Sequence, residues 1–387
     1  MSNEEEALEL HERNPGKISV EASVEINGKE DLGLVYTPGV AEPCRKISED
    51  KENVHKYTSK DNLVAVVSDG TAVLGMGDIG AEASMPVMEG KSNLLKKFGE
   101  VNGFPVCLDT ENASELIETV EKMSPTFGAI NLEDIAAPEC FKVERTLKKK
   151  LDIPVFHDDQ HGTAIVVYAA LKNALELKSQ SLEEARITII GAGASGNAVA
   201  NFLIEAGAQN ILPVDSQGIL RTDDESIYKK KLAQKTLASE EQGSLEDAIE
   251  GSDVVIGLST AGLISKEMVE SMAEDPIVFA LANPEPEILP QDAKDAGAFI
   301  TATGRSDFAN QVNNSLAFPG VFRGTIDAQA MEINEEMKKA AAKAISEYKE
   351  PKKESIVPET LDKDLAMKIA EQVEKAAEKT KATRADK

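Results

Sequence analysis

The chain of 387 residues has no tryptophan, few aromatic residues of any kind and only three cysteines. Cys44, Cys107 and Cys140 are odd in number and far apart, so they form neither a disulfide framework nor a Cys-x-x-Cys zinc site. A chain with no disulfide framework fits a reducing compartment, and we expect a cytoplasmic location.

Long hydrophobic runs are also missing. No apolar stretch approaches the roughly 20 residues that a membrane-spanning helix needs. The N-terminal stretch MSNEEEALELHERNPGK is acidic and lacks the apolar core of a signal peptide. We therefore expect neither a membrane segment nor a secretion signal.

Positively charged residues are outnumbered: the chain has 42 lysines and arginines and 68 aspartates and glutamates, for a net charge of −26. This balance disfavours non-specific binding of nucleic acid and docking on an anionic membrane. Hydrophobic residues make up 41% of the chain, too many for a disordered acidic protein. A small anionic substrate stays possible, since a local cation cluster or a metal can reverse the field in one cleft.

Short apolar runs alternate with helical patterns from about residue 60 onward, which predicts parallel sheets with crossover helices. The expected strands are Leu63–Val67, Phe104–Leu108, Phe127–Asn131, Pro154–Phe156, Arg186–Ile190, Ile211–Val214, Val254–Gly257, Ile277–Ala280 and Ala298–Thr301. The expected helices include Pro86–Phe98, Ala113–Met123, Glu139–Lys150 and a buried one between residues 162 and 178.

A glycine-rich turn, GAGASG, follows one strand and opens a helix. Its G-x-G-x-x-G spacing allows a tight turn, close approach of a pyrophosphate and close helix–strand packing. The pattern predicts a Rossmann-type dinucleotide site, the alternative being a glycine turn that binds no nucleotide. The loop residues expected to hold the cofactor are Gly191, Gly193, Ala194, Ser195 and Gly196.

The end of the next strand indicates which dinucleotide is bound. Asp215 lies roughly 20 residues beyond the glycine loop, where a carboxylate accepts hydrogen bonds from a ribose 2′-hydroxyl. The same carboxylate repels a 2′-phosphate, which favours NAD over NADP. Ser216 and Arg221 are close enough in sequence to leave NADP possible.

Two acidic pairs follow predicted strands in the first half, Glu133 with Asp134 and Asp158 with Asp159. Ligand crevices form at the carboxyl ends of parallel strands, and four carboxylates converging there would repel one another without a cation. Oxygen ligands of this kind suit Mg²⁺ or Mn²⁺ better than the zinc that the H-x₃-H pair in FHDDQHG could bind. The alternative is that these acids cap helices.

Two further residues could do acid–base chemistry. Lys91 precedes an amphipathic stretch, and a lysine beside a divalent metal could act as a general base, although most lysines are simply solvated. Tyr36 stands before a Pro-Gly turn that could place its phenol in a cleft. On the sequence alone, a packing role for Tyr36 is the better interpretation.

Taken together, these segments resemble the malic enzyme family in its shorter prokaryotic form. The resemblance implies divalent-metal-dependent oxidative decarboxylation of L-malate to pyruvate and CO₂, with reduction of NAD or NADP. The matching motifs are YTPGVA (36–41), SDGTAVLGMGDIG (68–80), MEGK (88–91), NLEDIAAPECF (131–141), FHDDQHGTA (156–164), GAGASG (191–196), ALANPEPEI (280–288) and NNSLAFPGVFRG (313–324).

The resemblance also implies roles for single residues. Metal binding would fall to Glu133, Asp134 and Asp159, with Asp158 orienting the site. Lys91 would be the general base and Tyr36 the general acid. Malate and the nicotinamide end of the cofactor would be held by Lys91, Asn283 and Asn314.

The sequence departs from the family at one point. Larger relatives carry an arginine just before the LGxGD segment, whereas this chain reads GTAVLGMGD. Recognition of the substrate carboxylate would then rest on the metal, the asparagines, backbone N–H groups or Arg323. The resemblance further implies a homodimer, in which Tyr36 or Lys91 could reach a neighbour's site.

The predicted fold is thus α/β, with two parallel-sheet domains and a helical tail. We expect a substrate and metal domain at residues 1–160, a Rossmann-type NAD(P)-binding domain at 161–325 and a helical segment at 326–387 that packs back on the core. The last residues are expected to be disordered. The rival functions are a non-decarboxylating 2-hydroxyacid dehydrogenase and a catalytically inactive nucleotide-sensing protein.

Overall fold

The computed structural model describes residues 3–14, 16–73, 75–110 and 112–386. The helices are α1 (Asn3–Arg13), α2 (Lys29–Val35), α3 (Ala41–Glu49), α4 (Asn53–Tyr57), α5 (Ala81–Gly99), α6 (Ala113–Met123), α7 (Glu139–Lys150), α8 (Asp158–Lys178), α9 (Ala194–Glu205), α10 (Ile227–Ala233), α11 (Leu245–Ile249), α12 (Lys266–Glu270), α13 (Pro290–Asp295), α14 (Phe318–Asp327), α15 (Glu335–Ser346) and α16 (Lys363–Thr380). The strands are β1 (Leu63–Ser68), β2 (Asn102–Cys107), β3 (Ala129–Leu132), β4 (Val155–His157), β5 (Arg186–Ile190), β6 (Asn210–Asp215), β7 (Gly218–Ile219), β8 (Val254–Gly257), β9 (Ile277–Ala280) and β10 (Ile300–Thr303).

The first sheet has four parallel strands in the order β2-β1-β3-β4. Successive side chains of a strand point to opposite faces, and both faces of β1 are buried. Val64 and Val66 belong to the core that also contains Met88 of α5, whereas Val67 packs in a separate cluster with Leu116 of α6. Burial on both faces explains why this strand reads as an unbroken apolar run rather than an alternating one.

The second sheet has six strands in the order β10-β9-β8-β5-β6-β7. All neighbouring pairs are parallel except β6 and β7, which form a short antiparallel pair. The chain passes from β5 outward through β6 and β7, then returns to the other side of β5 with β8. This reversal is the switch point at which dinucleotides bind in doubly wound sheets. The predicted α/β class with a Rossmann-type second sheet is confirmed.

Helix α8 runs directly from the end of β4 to the second half of the chain and begins at Asp158. It is apolar on nearly all sides and buried along most of its length, packing against α9 and α15. Of the helices in the described residues, none combines the length and apolar character needed to cross a lipid bilayer.

The C-terminal helices α14, α15 and α16 pack on one another and on the core. Glycine lets α14 approach α16 closely, since a Cβ on Gly324 would lie 2.3 Å from the Ala370 carbonyl oxygen. Residues 375–380 continue α16, and the Met331 N–H donates to the Ala382 carbonyl at 2.8 Å. Arg384 adds an ion pair to Asp61 at 3.5 Å, so contacts distant in sequence hold the end in place.

The N-terminal segment, residues 16–57, covers little of this core. Within these described residues, α2, α3 and α4 bury no side chain. Several large apolar side chains are exposed instead, among them Val20, Leu34 and Tyr36. Exposed apolar side chains clustered along one segment are typical of a surface that contacts another protein.

Candidate active site

Strand pairing brings the two acidic pairs together. Glu133 and Asp134 directly follow β3, whereas Asp158 and Asp159 form the first turn of α8 directly after β4. Because β3 and β4 are parallel neighbours with Leu132 opposite His157, both pairs emerge side by side at the carboxyl edge of the sheet. The sequence position of the acids thus determines their convergence.

Three carboxylates from these pairs form a compact cluster. One oxygen each from Glu133, Asp134 and Asp159 lies within 4.8 Å of the others, and the first two side chains are buried. The Asp134 N–H donates to Asp159 Oδ2 at 2.8 Å. Asp134 itself has φ 53°, a left-handed conformation that is uncommon for residues other than glycine.

The electrostatics of this cluster fit a bound cation. Burial raises the pKa of Glu133 well above its usual value; Lys91 opposes the rise, and the charges of Asp159, Asp158 and Asp134 add to it. A hard divalent ion such as Mg²⁺ or Mn²⁺ prefers carboxylate oxygens and would offset this repulsion. The donor set therefore suits such an ion. The histidine pair does not form a zinc site, since His161 bonds Glu144 and Lys338 instead.

Lys91 projects from α5 into the same cluster. Its Nζ lies 2.5 Å from Asp158 Oδ2, 2.9 Å from Glu133 Oε1 and 3.2 Å from Asn314 Oδ1. Burial lowers the pKa of this amine, but the charges of Asp158, Glu133 and Asp159 together outweigh burial and raise it above the usual value. The site thus holds one lysine in fixed geometry beside the candidate metal ligands.

Asp158 is fully buried, and glycine makes room for it. A Cβ on Gly162, one turn along α8, would lie 1.8 Å from Asp158 Oδ1. That oxygen has no hydrogen-bond partner among the described residues, whereas Oδ2 binds Lys91. Asp158 is therefore a bonding partner of Lys91 and does not belong to the three-carboxylate cluster.

The glycine loop has the geometry of a dinucleotide site. Gly191 has φ +105°, and a Cβ there would lie 2.4 Å from the Leu258 carbonyl oxygen. A Cβ on Gly196 would lie 1.8 Å from the Gly191 carbonyl, whereas Gly193, at the N-cap of α9, faces open space. Ala194 and Ser195 form the first turn of α9, whose free N–H groups can bind a pyrophosphate.

Replacing Gly196 with alanine is expected to lower the affinity for NAD more than about 10-fold. The added methyl group overlaps the Gly191 carbonyl and displaces the loop from α9. Calorimetric titration with NAD measures the change. Gly193→Ala is the matched control for folding, because its methyl group meets no protein atom within 4 Å and should leave the thermal midpoint unchanged. Unchanged NAD affinity in Gly196→Ala would contradict this structure of the loop.

Not all predicted site residues come together. The Tyr36 side chain is 66% exposed in the turn after α2, and its hydroxyl has no hydrogen bond to another described residue. Arg323 is already paired with Asp327 and with Asn62 Oδ1 at 2.9 Å, so it is not a free carboxylate clamp. Asn283 follows β9, where its backbone oxygen faces Gly75 of the first domain.

Two contributing residues were missed by the sequence reasoning. Asn131 Nδ2 donates to Glu133 Oε2 at 3.1 Å, and Lys229 of α10 pairs with Asp215 Oδ2 at 2.6 Å. Asn131 was detectable in principle, because a polar residue inside an apolar strand shares a face with the residue two positions later. No local signal indicates Lys229, whose contact depends on the fold of residues 216–228.

The switch-point glycine loop and the neighbouring cluster define an oxidoreductase that uses a nicotinamide dinucleotide on a small-molecule substrate. Comparison with known families agrees with this class. Residues 15–148 match the model of the malic enzyme N-terminal domain, and residues 160–378 match that of the malic enzyme NAD-binding domain. The chain belongs to the malic enzyme family.

Individual relatives support this assignment. The chain is 51% identical to the bifunctional malic/malolactic enzyme of Bacillus subtilis, covering 98% of this chain and 94% of the relative. It is 49% identical to the NAD-dependent malic enzyme of Geobacillus stearothermophilus, covering 96% and 78%. The crystal structure of the Pyrococcus horikoshii malic enzyme matches with a TM-score of 0.93 at 46% identity, over 98% of this chain and 92% of that one.

Proposed function

We propose that this chain oxidises L-malate at C2 and releases C4 as CO₂, giving pyruvate and NADH or NADPH, with Mg²⁺ or Mn²⁺ bound by Glu133, Asp134 and Asp159. One observation carries the proposal: the Lys91 amine lies within hydrogen-bond reach of Asp158 and Asn314, directly beside that carboxylate cluster. A non-decarboxylating dehydrogenase would have no need of the three carboxylates, so the rival enzyme class is not favoured.

The side chains around Lys91 support a role for this residue in proton transfer at the C2 hydroxyl. A bound divalent cation would stabilise negative charge on the C2 oxygen and offset the carboxylates around Lys91, while the nicotinamide would accept hydride from C2. With those charges offset, Lys91 would lose its extra proton to solvent, and the neutral amine, held by Asp158 and Asn314 at 2.5 and 3.2 Å, could then take the hydroxyl proton. Asn314, whose side chain accepts a hydrogen bond from Lys91, is proposed to serve with Asn283 in place of the missing carboxylate-clamping arginine.

Tyr36 is proposed to return a proton to C3 of the enol form of pyruvate, and to do so in the site of a second subunit. Three observations support a homodimer. The Tyr36 side chain is exposed, segment 16–57 exposes several apolar residues, and α2 to α4 bury no side chain among the described residues. In that dimer each N-terminal segment would cover the partner's cleft.

The proposed cofactor is NAD, with NADP accepted. Asp215 would bind the ribose 2′-hydroxyl of NAD, but its charge is offset by Lys229 at 2.6 Å. Lys229→Met is therefore expected to lower kcat/KM with NADP by about 10-fold, the worth of one charge-assisted hydrogen bond to a 2′-phosphate. The value with NAD should change far less. Initial rates with both cofactors at saturating malate measure this, and equal losses would contradict the assignment.

Metal removal tests the proposed function directly. We expect dialysis against EDTA to abolish malate-dependent formation of reduced nicotinamide, and Mn²⁺ or Mg²⁺ to restore it. Glu133→Gln should not be restored by the same metal concentration, because it removes one charge from the three-carboxylate cluster. The absorbance of NADH gives the rate. Full turnover in the chelated protein would overturn the proposal.

A further inference from the structure

A buried polar network joins the first turn of α8 to α7 and to the C-terminal segment. It consists of Glu144 of α7, His161 of α8 and Lys338 of α15. Lys338 is only 1% exposed, a costly position for an ammonium group unless it is specifically paired. None of the three side chains contacts Lys91 or the three-carboxylate cluster through a bond among the described residues, so the mechanism above leaves the network unexplained.

Glu144 binds both sides of the turn that carries Asp158 and Asp159. Its Oε1 accepts a hydrogen bond from His161 Nε2 at 2.7 Å and a longer one from the His157 backbone N–H at 3.3 Å. Lys148 Nζ, one turn along α7, lies 2.7 Å from the same oxygen. Asp158 and Asp159 therefore lie between His157 and His161, which both donate a hydrogen bond to the buried Glu144 carboxylate.

Lys338 determines which nitrogen of His161 carries the ring proton. An ammonium group can only donate, so His161 Nδ1, at 3.0 Å from Lys338 Nζ, must accept. The proton is then on Nε2 and points at Glu144. Glu335 Oε1 takes a second Lys338 hydrogen bond at 2.7 Å, so the C-terminal segment anchors this orientation.

We propose that Glu144, His161 and Lys338 are positioning residues that hold Asp159 in the geometry required for metal binding. The inference rests on the proposed metal site. Asp159 is partly exposed and is tied to the cluster by the Asp134 N–H, while its backbone position depends on the turn that Glu144 and His161 fix. Such outer contacts orient ligands, and their loss typically weakens metal binding roughly 10- to 100-fold.

Direct Mn²⁺ binding to the full chain, measured by electron paramagnetic resonance of free Mn²⁺ without substrate or cofactor, tests the inference. His161→Leu and Lys338→Met should raise the Mn²⁺ dissociation constant at least about 10-fold. His161→Gln keeps a donor for Glu144 and should bind Mn²⁺ nearly as tightly as the parent. Asn173→Ala is the control: it removes two buried hydrogen bonds between α8 and the C-terminal segment, at 3.0 and 2.8 Å, and should lower the thermal midpoint without changing Mn²⁺ affinity.

Asp159→Asn separates this inference from the proposed function. If Asp159→Asn loses Mn²⁺ while His161→Leu and Lys338→Met bind it like the parent, the positioning roles are wrong and the metal site stands. If Asp159→Asn binds Mn²⁺ like the parent, the metal site itself is wrong, and the positioning roles fall with it. A loss in Asn173→Ala equal to that in Lys338→Met would also overturn the inference, because any disturbance of α8 would then suffice.

Discussion

Replacing Lys91 with alanine is expected to lower kcat for malate oxidation by about 10³-fold, the usual contribution of a positioned acid–base group. The amine is held by Asp158 and Asn314 beside the three carboxylates, and no other lysine shares those contacts among the described residues. Mn²⁺ affinity should not fall, because the variant removes a positive charge next to Glu133. Steady-state kinetics and Mn²⁺ binding on the same preparation provide both values.

Lys96→Ala is the matched control for this variant. Lys96 lies on the same helix, five residues further on, but is exposed and bonds only Asn102 Oδ1 among the described residues, at 2.8 Å. It should retain the kcat of the parent. If Lys91→Ala keeps more than about a tenth of the parent kcat, the proton transfer belongs to another group.

Mixing two inactive variants is expected to restore activity if the site is shared between subunits. Tyr36→Phe and Lys91→Ala should each be nearly inactive alone. After subunit exchange at equal concentrations, half of the dimers pair one variant with the other, and each has one intact site, so about one quarter of the parent activity should return. Tyr36 is 66% exposed and lies outside the cluster of its own chain, which is the basis of this expectation.

The mixture must be compared with each variant incubated alone under the same exchange conditions. Activity that stays at the level of the separate variants, although exchange is shown by mass spectrometry of differently labelled chains, would mean that Tyr36 acts in its own subunit. In that case the N-terminal segment must move to reach Lys91.

Features set by local pattern were predictable from the sequence. Glu139–Lys150 is helical over the predicted range, and Arg186–Ile190 is a strand over the predicted range. The acidic pairs were found because parallel strands put the residues that follow them on one edge, and the glycine loop was found from its G-x-G-x-x-G spacing between a strand and a helix. The strand predicted at Ala298–Thr301 lies at Ile300–Thr303. Its sequence, Ile-Thr-Ala-Thr, is buried on both faces, so the end of the apolar pattern does not mark the end of the strand.

The start of one helix was predicted too late in the chain, at a proline. The helix predicted to begin at Pro86 begins at Ala81, with the proline inside it. Proline is favoured in the first turn, where its missing N–H costs nothing, and this favoured the later start. The first turn of α5 instead follows Gly80, whose φ of +80° is easily adopted only by glycine.

Contacts made between distant segments were beyond sequence reasoning. The pairing of Asp215 with Lys229, the paired state of Arg323 and the buried Lys338 all depend on tertiary packing. The same holds for the contacts that residues 382 and 384 make with Asp61 and with the backbone of residues 329–331.

The most direct test of the central claim is a carbon and electron balance in one incubation with L-malate, NAD and Mn²⁺. The proposed chemistry predicts that CO₂, pyruvate and NADH form in equal amounts and that none forms without the metal. Accumulation of oxaloacetate with NADH and no enzyme-dependent CO₂ would contradict it, because the chain would then be a dehydrogenase that does not decarboxylate. Release of CO₂ with lactate and no NADH would contradict it as well.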